Sequence, residues 1–310
     1  MTTMILYGRP PLVFDPPGTA TQTSPLIPGS TALESLPDDS VEGAMIYAPP
    51  GVLERRYTLA QALRALKVGG RLDVMAPKDR GGSRLKKELE AFGLEVGESA
   101  KAHHRRCVVV KPGRVTGIEE AIAGASPQTF ETDNGQILWT QPGVFAWDRI
   151  DAGSAFLEGQ LLHQGSDMGL KGAGADLGCG TGVLSWSILD EFSKVTSLRM
   201  IDIDRRAIEM AKKNVIDPRA QFEWADARSI EGTGDLNFIV MNPPFHDGGA
   251  ETKRLGLAFI QKAAQMLTKG GELWMVANRH LPYEAELKAL FKRVEPIGDN
   301  GAFKVFWAQK

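Results

Sequence analysis

The chain has 310 residues, 36 Lys+Arg against 38 Asp+Glu, and 43% hydrophobic residues. At about 100–200 residues per domain this length allows two domains, and such an apolar share excludes a disordered chain. Cys107 and Cys179 form no CxxC pair, no apolar run approaches the ~20 residues of a bilayer span, and no basic-then-apolar leader opens the sequence, so a soluble, cytoplasmic protein with no disulfide framework, zinc site or membrane partner is expected.

The net charge of -2 sums unlike segments: residues 1–54 carry -5, residues 55–114 carry +9, and residues 115–310 carry -6. The basic segment suggests a polyanion partner, with a solvated Lys/Arg-rich face as the competing reading.

Residues 8–40 are rich in Gly, Pro, Ser and Thr and read as loops around short strands. Residues 43–47 form an apolar run ending in Ala48-Pro49-Pro50. Apolar residues at helical spacing (Leu59, Ala62, Leu63, Leu66) predict a helix that Gly69-Gly70 stops, and residues 71–76 then read as a strand. Residues 83–92 are a charged amphipathic helix, and residues 107–110 a β-branched strand ending at Pro112. Within residues 113–128, rich in Gly, Ala, Ser and Pro, lies the expected boundary between domains 1–120 and 121–310. Asp133-Asn134-Gly135 then signals a hairpin turn between residues 129–132 and 136–140.

Beyond it helix and strand signals alternate. Helices are predicted over residues 154–162, 183–192, 205–214, 253–267 and 283–294. Strands are predicted into Asp176, into Asp202, and over residues 221–224, 237–241, 272–277 and 302–308. That alternation argues an α/β fold with a mostly parallel sheet covered on both faces. The halves also resemble each other. Leu66-Lys67-Val68-Gly69-Gly70-Arg71-Leu72 aligns with Leu267-Thr268-Lys269-Gly270-Gly271-Glu272-Leu273, and Ala48-Pro49-Pro50-Gly51 occupies the place of Asn242-Pro243-Pro244-Phe245. A duplicated domain accounts for this, against chance recurrence of strand–helix pairs.

Ala175-Asp176-Leu177-Gly178-Cys179-Gly180-Thr181-Gly182 joins a strand to a helix, where glycine lets the backbone turn tightly and approach a ligand at the carboxyl edge of the sheet. The spacing is Gly-x-Gly-x-Gly, one residue short of the dinucleotide fingerprint, so an NAD-dependent oxidoreductase is disfavoured. An acidic residue ahead of these glycines is the pattern of S-adenosylmethionine (SAM) sites. Asp202, ending the next strand, is placed to hold a ribose diol, while Asp204 reads as the N-cap of the following helix. Asp226 is a candidate acceptor for the adenine amino group, with turn formation as its alternative.

Asn242-Pro243-Pro244-Phe245 follows an apolar strand. Two prolines remove two donors and stiffen the turn, leaving the Pro243 carbonyl and the Asn242 side-chain oxygen as acceptors. A planar amine conjugated to a ring is a poor nucleophile, and two acceptors holding its N–H bonds direct its lone pair at a methyl donor. Phe245 offers a face for a flipped base. His246 and Asp247 contact substrate or pack the loop, and no further ligand cluster points to a metal.

Gly143-Val144-Phe145, Asp151-x-Gly153-Ser154, residues 176–182, Asn242-Pro243-Pro244-Phe245-His246-Asp247-Gly248 and Phe303-Lys304-Val305 together resemble the ribosomal RNA guanine-N2 methyltransferases acting on small-subunit 16S RNA. The resemblance covers nearly all of residues 129–310. It implies two tandem methyltransferase-like (Rossmann-like) domains, the second a seven-stranded sheet and the first, to which Arg105-Arg106-Cys107 is similar, without a cofactor site. It further implies that Phe145, Asp151, Gly153 and Asp176 lie with Gly178, Gly180, Gly182, Asp202, Asp226 and Asn242 around SAM. Asn242, Pro243 and Phe245 are then the catalytic group, and Pro244, Phe245, His246 and Asp247 the substrate contacts. The first domain, lacking the amide and the ring, is expected to dock ribosomal RNA or the small subunit through residues such as Arg84, Lys86, Lys87, Arg105 and Arg106. The same tetrad also serves N2-guanine methylation of 23S RNA, N6-adenine methylation and methylation of a protein glutamine. A ribosome-assembly binding module with a vestigial site is the non-enzyme alternative.

Overall fold

In the computed structural model, which describes residues 3–244 and 250–310, the alternating pattern becomes two separate α/β sheets. One unit comprises residues 1–128 with 141–143, and the other residues 129–140 with 144–310.

The first unit contains β1 (Met4–Tyr7), β2 (Thr21–Gln22), β3 (Val41–Tyr47), α1 (Val52–Ala65), β4 (Leu66–Pro77), α2 (Leu85–Glu90), β5 (Gly97–Lys101), β6 (His104–Val110) and α3 (Ile118–Ala123). Its sheet runs β2-β1-β3-β4-β6-β5, parallel as far as β4 and antiparallel beyond. Leu59 and Leu63 of α1 and Leu85 and Leu89 of α2 are buried with Ile46, Leu72 and Val74 on one face. Against the other face, Phe14 packs on Met45 and Met75.

In the second unit a hairpin of β7 (Gln128–Glu131) and β8 (Ile137–Thr140) precedes α4 (Ala152–Met168), β9 (Gly172–Leu177), α5 (Val183–Glu191), β10 (Val195–Asp202), α6 (Arg205–Asn214) and β11 (Ala220–Trp224). Then follow β12 (Leu236–Met241), α7 (Ala250–Met266), β13 (Leu267–Asn278), α8 (Glu284–Leu290), β14 (Arg293–Asp299) and β15 (Phe303–Gln309). The seven strands run β11-β10-β9-β12-β13-β15-β14, parallel from β11 to β13 and antiparallel through β15 and β14. Ile260 and Leu287 are buried with Ile239 and Met275 on one face, and Leu157, Leu184 and Ile208 with Val240 and Trp274 on the other. The chain leaves β9 toward β10 and returns to β12 on its other side, which opens a crevice at the carboxyl ends of β9 and β12.

Three local expectations change. Helix α1 ends at Ala65, and Gly69-Gly70 lies inside β4, where the register with β3 slips between Val41 and Gly43. The last helix stops at Leu290, and residues 293–299 form an edge strand whose Pro296 and Gly298 flank a bulge. The units divide after residue 128 rather than 120, because α3 buries Ala121 against the first core.

Candidate active site

At the end of β9 the chain turns through Gly178, Gly180 and Gly182, with φ of 81°, 54° and 87°. Gly182 caps α5 in the left-handed region, and a Cβ there would stand 2.9 Å from Met200 Cε and 3.0 Å from Val215 Cγ2. Strain and crowding together demand glycine at this position. The Gly180 N–H donates to Asp202 Oδ2 at 2.9 Å, and the Asp204 N–H donates to Asp202 Oδ1 at 2.8 Å. Asp202 thus holds the loop as well as standing at the strand end. Asp204 caps α6 by accepting from the Arg206 N–H at 2.9 Å.

Beneath the loop Asp176 is buried and accepts from Ser185 Oγ at 2.6 Å. Burial pushes its carboxyl up to about 7, the Ser185 bond opposes this, and the Asp202 charge adds to it. Burial likewise raises Asp202 to about 6 against the pull of the backbone N–H groups. Among the described residues neither carboxyl group has a Lys or Arg partner. Two acidic groups without a cation, under a glycine loop with open space above Gly180, fit the sulfonium, ammonium and ribose of SAM. Cys179, in the same loop, is buried with its thiol raised well above the ordinary range by burial and both carboxylates, so it is no nucleophile.

Phe145, 55% exposed, lines the same cleft as Asp151, Asp176, Gly178, Gly180 and Asn242. Asn242, at the end of β12, donates from Nδ2 to Asp151 Oδ2 at 2.7 Å and to Ser154 Oγ at 2.9 Å. Asp151 is the N-cap of α4 and accepts from the Ser154 N–H at 2.8 Å. Gly153 lies between them, where a Cβ would be 3.0 Å from Asp151 Oδ2. Pro243 is buried and Pro244 half-buried, whereas Phe245, His246 and Asp247 lie outside the described residues.

Asp226 follows β11, two strands from β9 in the sheet. It caps a 3-10 turn after β11 and accepts from the N–H, Nε and Nη2 of Arg228 at 3.0, 2.8 and 2.6 Å. Three of the basic residues of the first unit have acidic neighbours. Lys86 lies 3.9 Å from Glu90 and Arg105 3.9 Å from Glu98, while Arg106 grips Asp73 through Nε and Nη2. Neighbours on a strand point to opposite faces, so Arg105 and Arg106 of β6 cannot meet one flat partner together.

Two contributors were not legible in the sequence, Ser154 in its side-chain role and Asn214. The Asn214 amide accepts from the Trp139 N–H at 2.7 Å and donates to Trp139 O and Thr181 O, both at 2.9 Å, tying β8 to the glycine loop. Such contacts join residues 75 and 33 positions apart, which no local pattern announces. Among the described residues no group of three His, Cys, Asp or Glu could hold a metal, and no helix is long and apolar enough to cross a membrane.

The family described as Methyltransferase small domain matches residues 135–307. The ribosomal RNA small subunit methyltransferase C of Yersinia pestis (strain Pestoides F) is 33% identical over 264 residues, covering 84% of this chain and 73% of that protein. Its counterpart from Erwinia tasmaniensis is 32% identical over 273 residues, covering 85% and 74%. Among solved structures, the Thermus thermophilus 16S rRNA N2 G1207 methyltransferase in complex with AdoMet and guanosine shares the fold, with a TM-score of 0.81 at 21% identity over 100% of this chain and 88% of that one.

Proposed function

The chain belongs to the ribosomal RNA small subunit methyltransferase C family, and on that premise we propose that it methylates the exocyclic N2 of a guanine in 16S ribosomal RNA, using SAM, in the cytoplasm. The observation that carries the reading is the Asn242 amide. Both its donors are spent on Asp151 and Ser154, so its oxygen is the end left for an acceptor role beside the glycine loop.

When bound, SAM supplies a methyl group activated on a sulfonium that departs as a neutral thioether. Asp176 and Asp202 favour the cationic and ribose ends of such a ligand, and the glycines give it backbone room. The Asn242 oxygen and the Pro243 carbonyl each accept one N–H of the guanine amine, which turns the nitrogen lone pair toward the methyl group. Phe245 stacks the base, and Pro244, His246 and Asp247 contact its surroundings. The positive charge that develops on nitrogen is met by these two acceptors, and the methylated amine, now strongly acidic, gives up one N–H proton to water, so no strong base is required. Positioning supplies most of the rate, up to ~7–11 kcal/mol for well-oriented partners. Phe145 and Gly153 border the methionine end and Asp226 the adenine. Arg84, Lys86, Lys87, Arg105 and Arg106 give the first unit its attraction for RNA phosphates.

Incubation with labelled SAM and separated ribosomal subunits lacking the modification tests the reading. Label is expected on guanine N2 of the small-subunit RNA. Label on large-subunit RNA, on adenine N6 or on protein would overturn it.

A further inference from the structure

We propose that Asp151 and Ser154 are positioning residues that decide which end of the Asn242 amide faces the acceptor amine. The inference rests on the role of Asn242 given above. An asparagine amide is nearly symmetric in shape and opposite in hydrogen bonding: one end accepts, the other donates, and a half-turn about χ2 exchanges them. Presented oxygen first, Asn242 accepts an amine N–H. Presented nitrogen first, it sets donor against donor and cannot hold the amine at all.

The structure resolves this ambiguity with two acceptors from one helix end. Asn242 Nδ2 gives one N–H to Asp151 Oδ2 at 2.7 Å and the other to Ser154 Oγ at 2.9 Å. A half-turn would bring the amide oxygen against the carboxylate oxygen, so the reversed orientation exchanges a charge-assisted bond for a repulsion at Asp151, while the Ser154 hydroxyl, which accepts in the observed orientation, would have to turn and donate. The carboxylate is itself held, because the same Oδ2 caps α4 by taking the Ser154 N–H at 2.8 Å. A Cβ on the intervening Gly153 would lie 3.0 Å from Asp151 Oδ2 and 3.4 Å from Asn242 Nδ2, pressing on both partners. The segment Asp151-Ala152-Gly153-Ser154 therefore acts as one device, in which an acceptor that also caps the helix, a gap, and a second acceptor all converge on one amide. This differs from the expectation that Asp151 serves the methionine end of the cofactor, and the two roles separate experimentally.

Asp151→Ser keeps a capping hydroxyl but ends one bond short of Asn242, and Ser154→Ala removes the second acceptor while leaving the capped backbone N–H. Steady-state kinetics on small subunits lacking the modification, with calorimetric SAM affinity, read the effect. We expect kcat to fall ~10- to 100-fold for Asp151→Ser and ~3- to 10-fold for Ser154→Ala, with SAM affinity within ~3-fold of wild type. Added to Asn242→Ala, neither should cost anything further. Weakened SAM affinity at unchanged kcat would make Asp151 a cofactor ligand and overturn the proposal, as would losses that multiply with Asn242→Ala. If Asp151→Ser does not fold, Ser154→Ala completes the cycle alone. A readout independent of the reaction is the Asn242 side-chain amide resonance pair, identified by its loss in Asn242→Ala. Exchange protection in the wild type and its loss in either variant are expected whichever amine is methylated; unchanged protection would overturn the proposal.

Discussion

Both units end a buried parallel strand in a Pro-Pro turn, and they use its acceptors differently. In the second unit Asn242 precedes the turn, and its amide nitrogen is drawn back onto α4. In the first unit Ala48 stands in that place, and the carbonyls of Pro49 and Pro50 accept from Arg55 Nη1 at 3.0 and 2.7 Å. Arg55 is fully buried and also donates to both oxygens of Glu88, each at 2.6 Å. The protein's own guanidinium thus occupies the Pro49 carbonyl, the counterpart of the Pro243 carbonyl assigned to a substrate amine in the second unit, and the next carbonyl along the turn. The other half of the site is filled similarly. Where the second unit has a glycine loop, α5 and a strand-end carboxylate, the first has Gly8 held by Gln22, through a Gly8 N–H bond of 3.1 Å and an Nε2 bond of 2.9 Å to Gly8 O. A neutral amide there holds the turn and offers no charge to a cation. In the first unit the positions that correspond to the second unit's site are satisfied from within the chain.

The largest expected effect attacks that internal replacement. Arg55→Ala strands Glu88 and two carbonyls inside the first unit, and removal of one partner of a buried pair costs about 3–5 kcal/mol. Denaturant unfolding should show this loss in the first unit, with SAM affinity of the native protein unchanged. Loss of SAM binding below the unfolding transition would mean that the two sites are not independent.

Glycine substitutions sharpen the same contrast at smaller cost. Gly182→Ala forces a left-handed alanine against Met200 and Val215, for about 1–3 kcal/mol. Gly8→Ala has a comparable φ of 77° and meets Tyr47 Cβ at 3.2 Å. Both should lower the melting temperature, but only Gly182→Ala should weaken SAM binding in calorimetry. Equal losses of affinity would erase the distinction.

Titration separates the units further. Asp176 at about 7 and Asp202 at about 6 are raised above their unfolded values, so the folded state binds more protons between pH ~4 and those values. Without ligand, the stability of the second unit should therefore fall as pH rises from ~4 to ~7 and level off above. A cationic ligand favours the ionised carboxylates, so SAM should bind more tightly, and release protons as it does, on crossing that window. Melting temperatures with and without SAM at pH 5.5 and 8 check the sign. A SAM-induced shift larger at the acidic end contradicts it.

How much of this could be read in advance varies with the range of the interaction. Helix α6 is legible from end to end because Asp204 caps it and its apolar residues recur at helical spacing. The glycine loop and the Pro-Pro tetrad are also local patterns, as is the Gly-Gly repeat in β4 and β13. Strand β14 carries no strand signal, because Pro296 and Gly298 are tolerated only at its edge bulge, and the helix predicted over residues 283–294 overruns its first two residues. The start of α1 leaves no apolar signal in the sequence, because the charged residues Glu54 and Arg55 are among its buried positions. The clamps by Ser154, Asn214 and Arg55 depend on partners 88, 75 and 33 residues away, and only the fold brings those together.

The smallest effect concerns the charge asymmetry between the two units. Arg105 and Arg106 are adjacent on β6 and project to opposite faces, Arg105 beside Glu98 and Arg106 clasped to Asp73. Because each exposed phosphate contact changes the salt slope of RNA binding by ~1, single reversals should cost well under the stability effects above. If RNA docks on one face, either Arg105→Glu with Lys86→Glu or Arg106→Glu should reduce affinity for small-subunit RNA, by ~3- to 10-fold, and the other variant should not. SAM affinity should stay constant in both. Equal reductions would mean that the +9 segment acts as a diffuse field around the whole first unit. In that case pairing with Asp73 and Glu98, rather than the direction each arginine faces, would set how much each contributes.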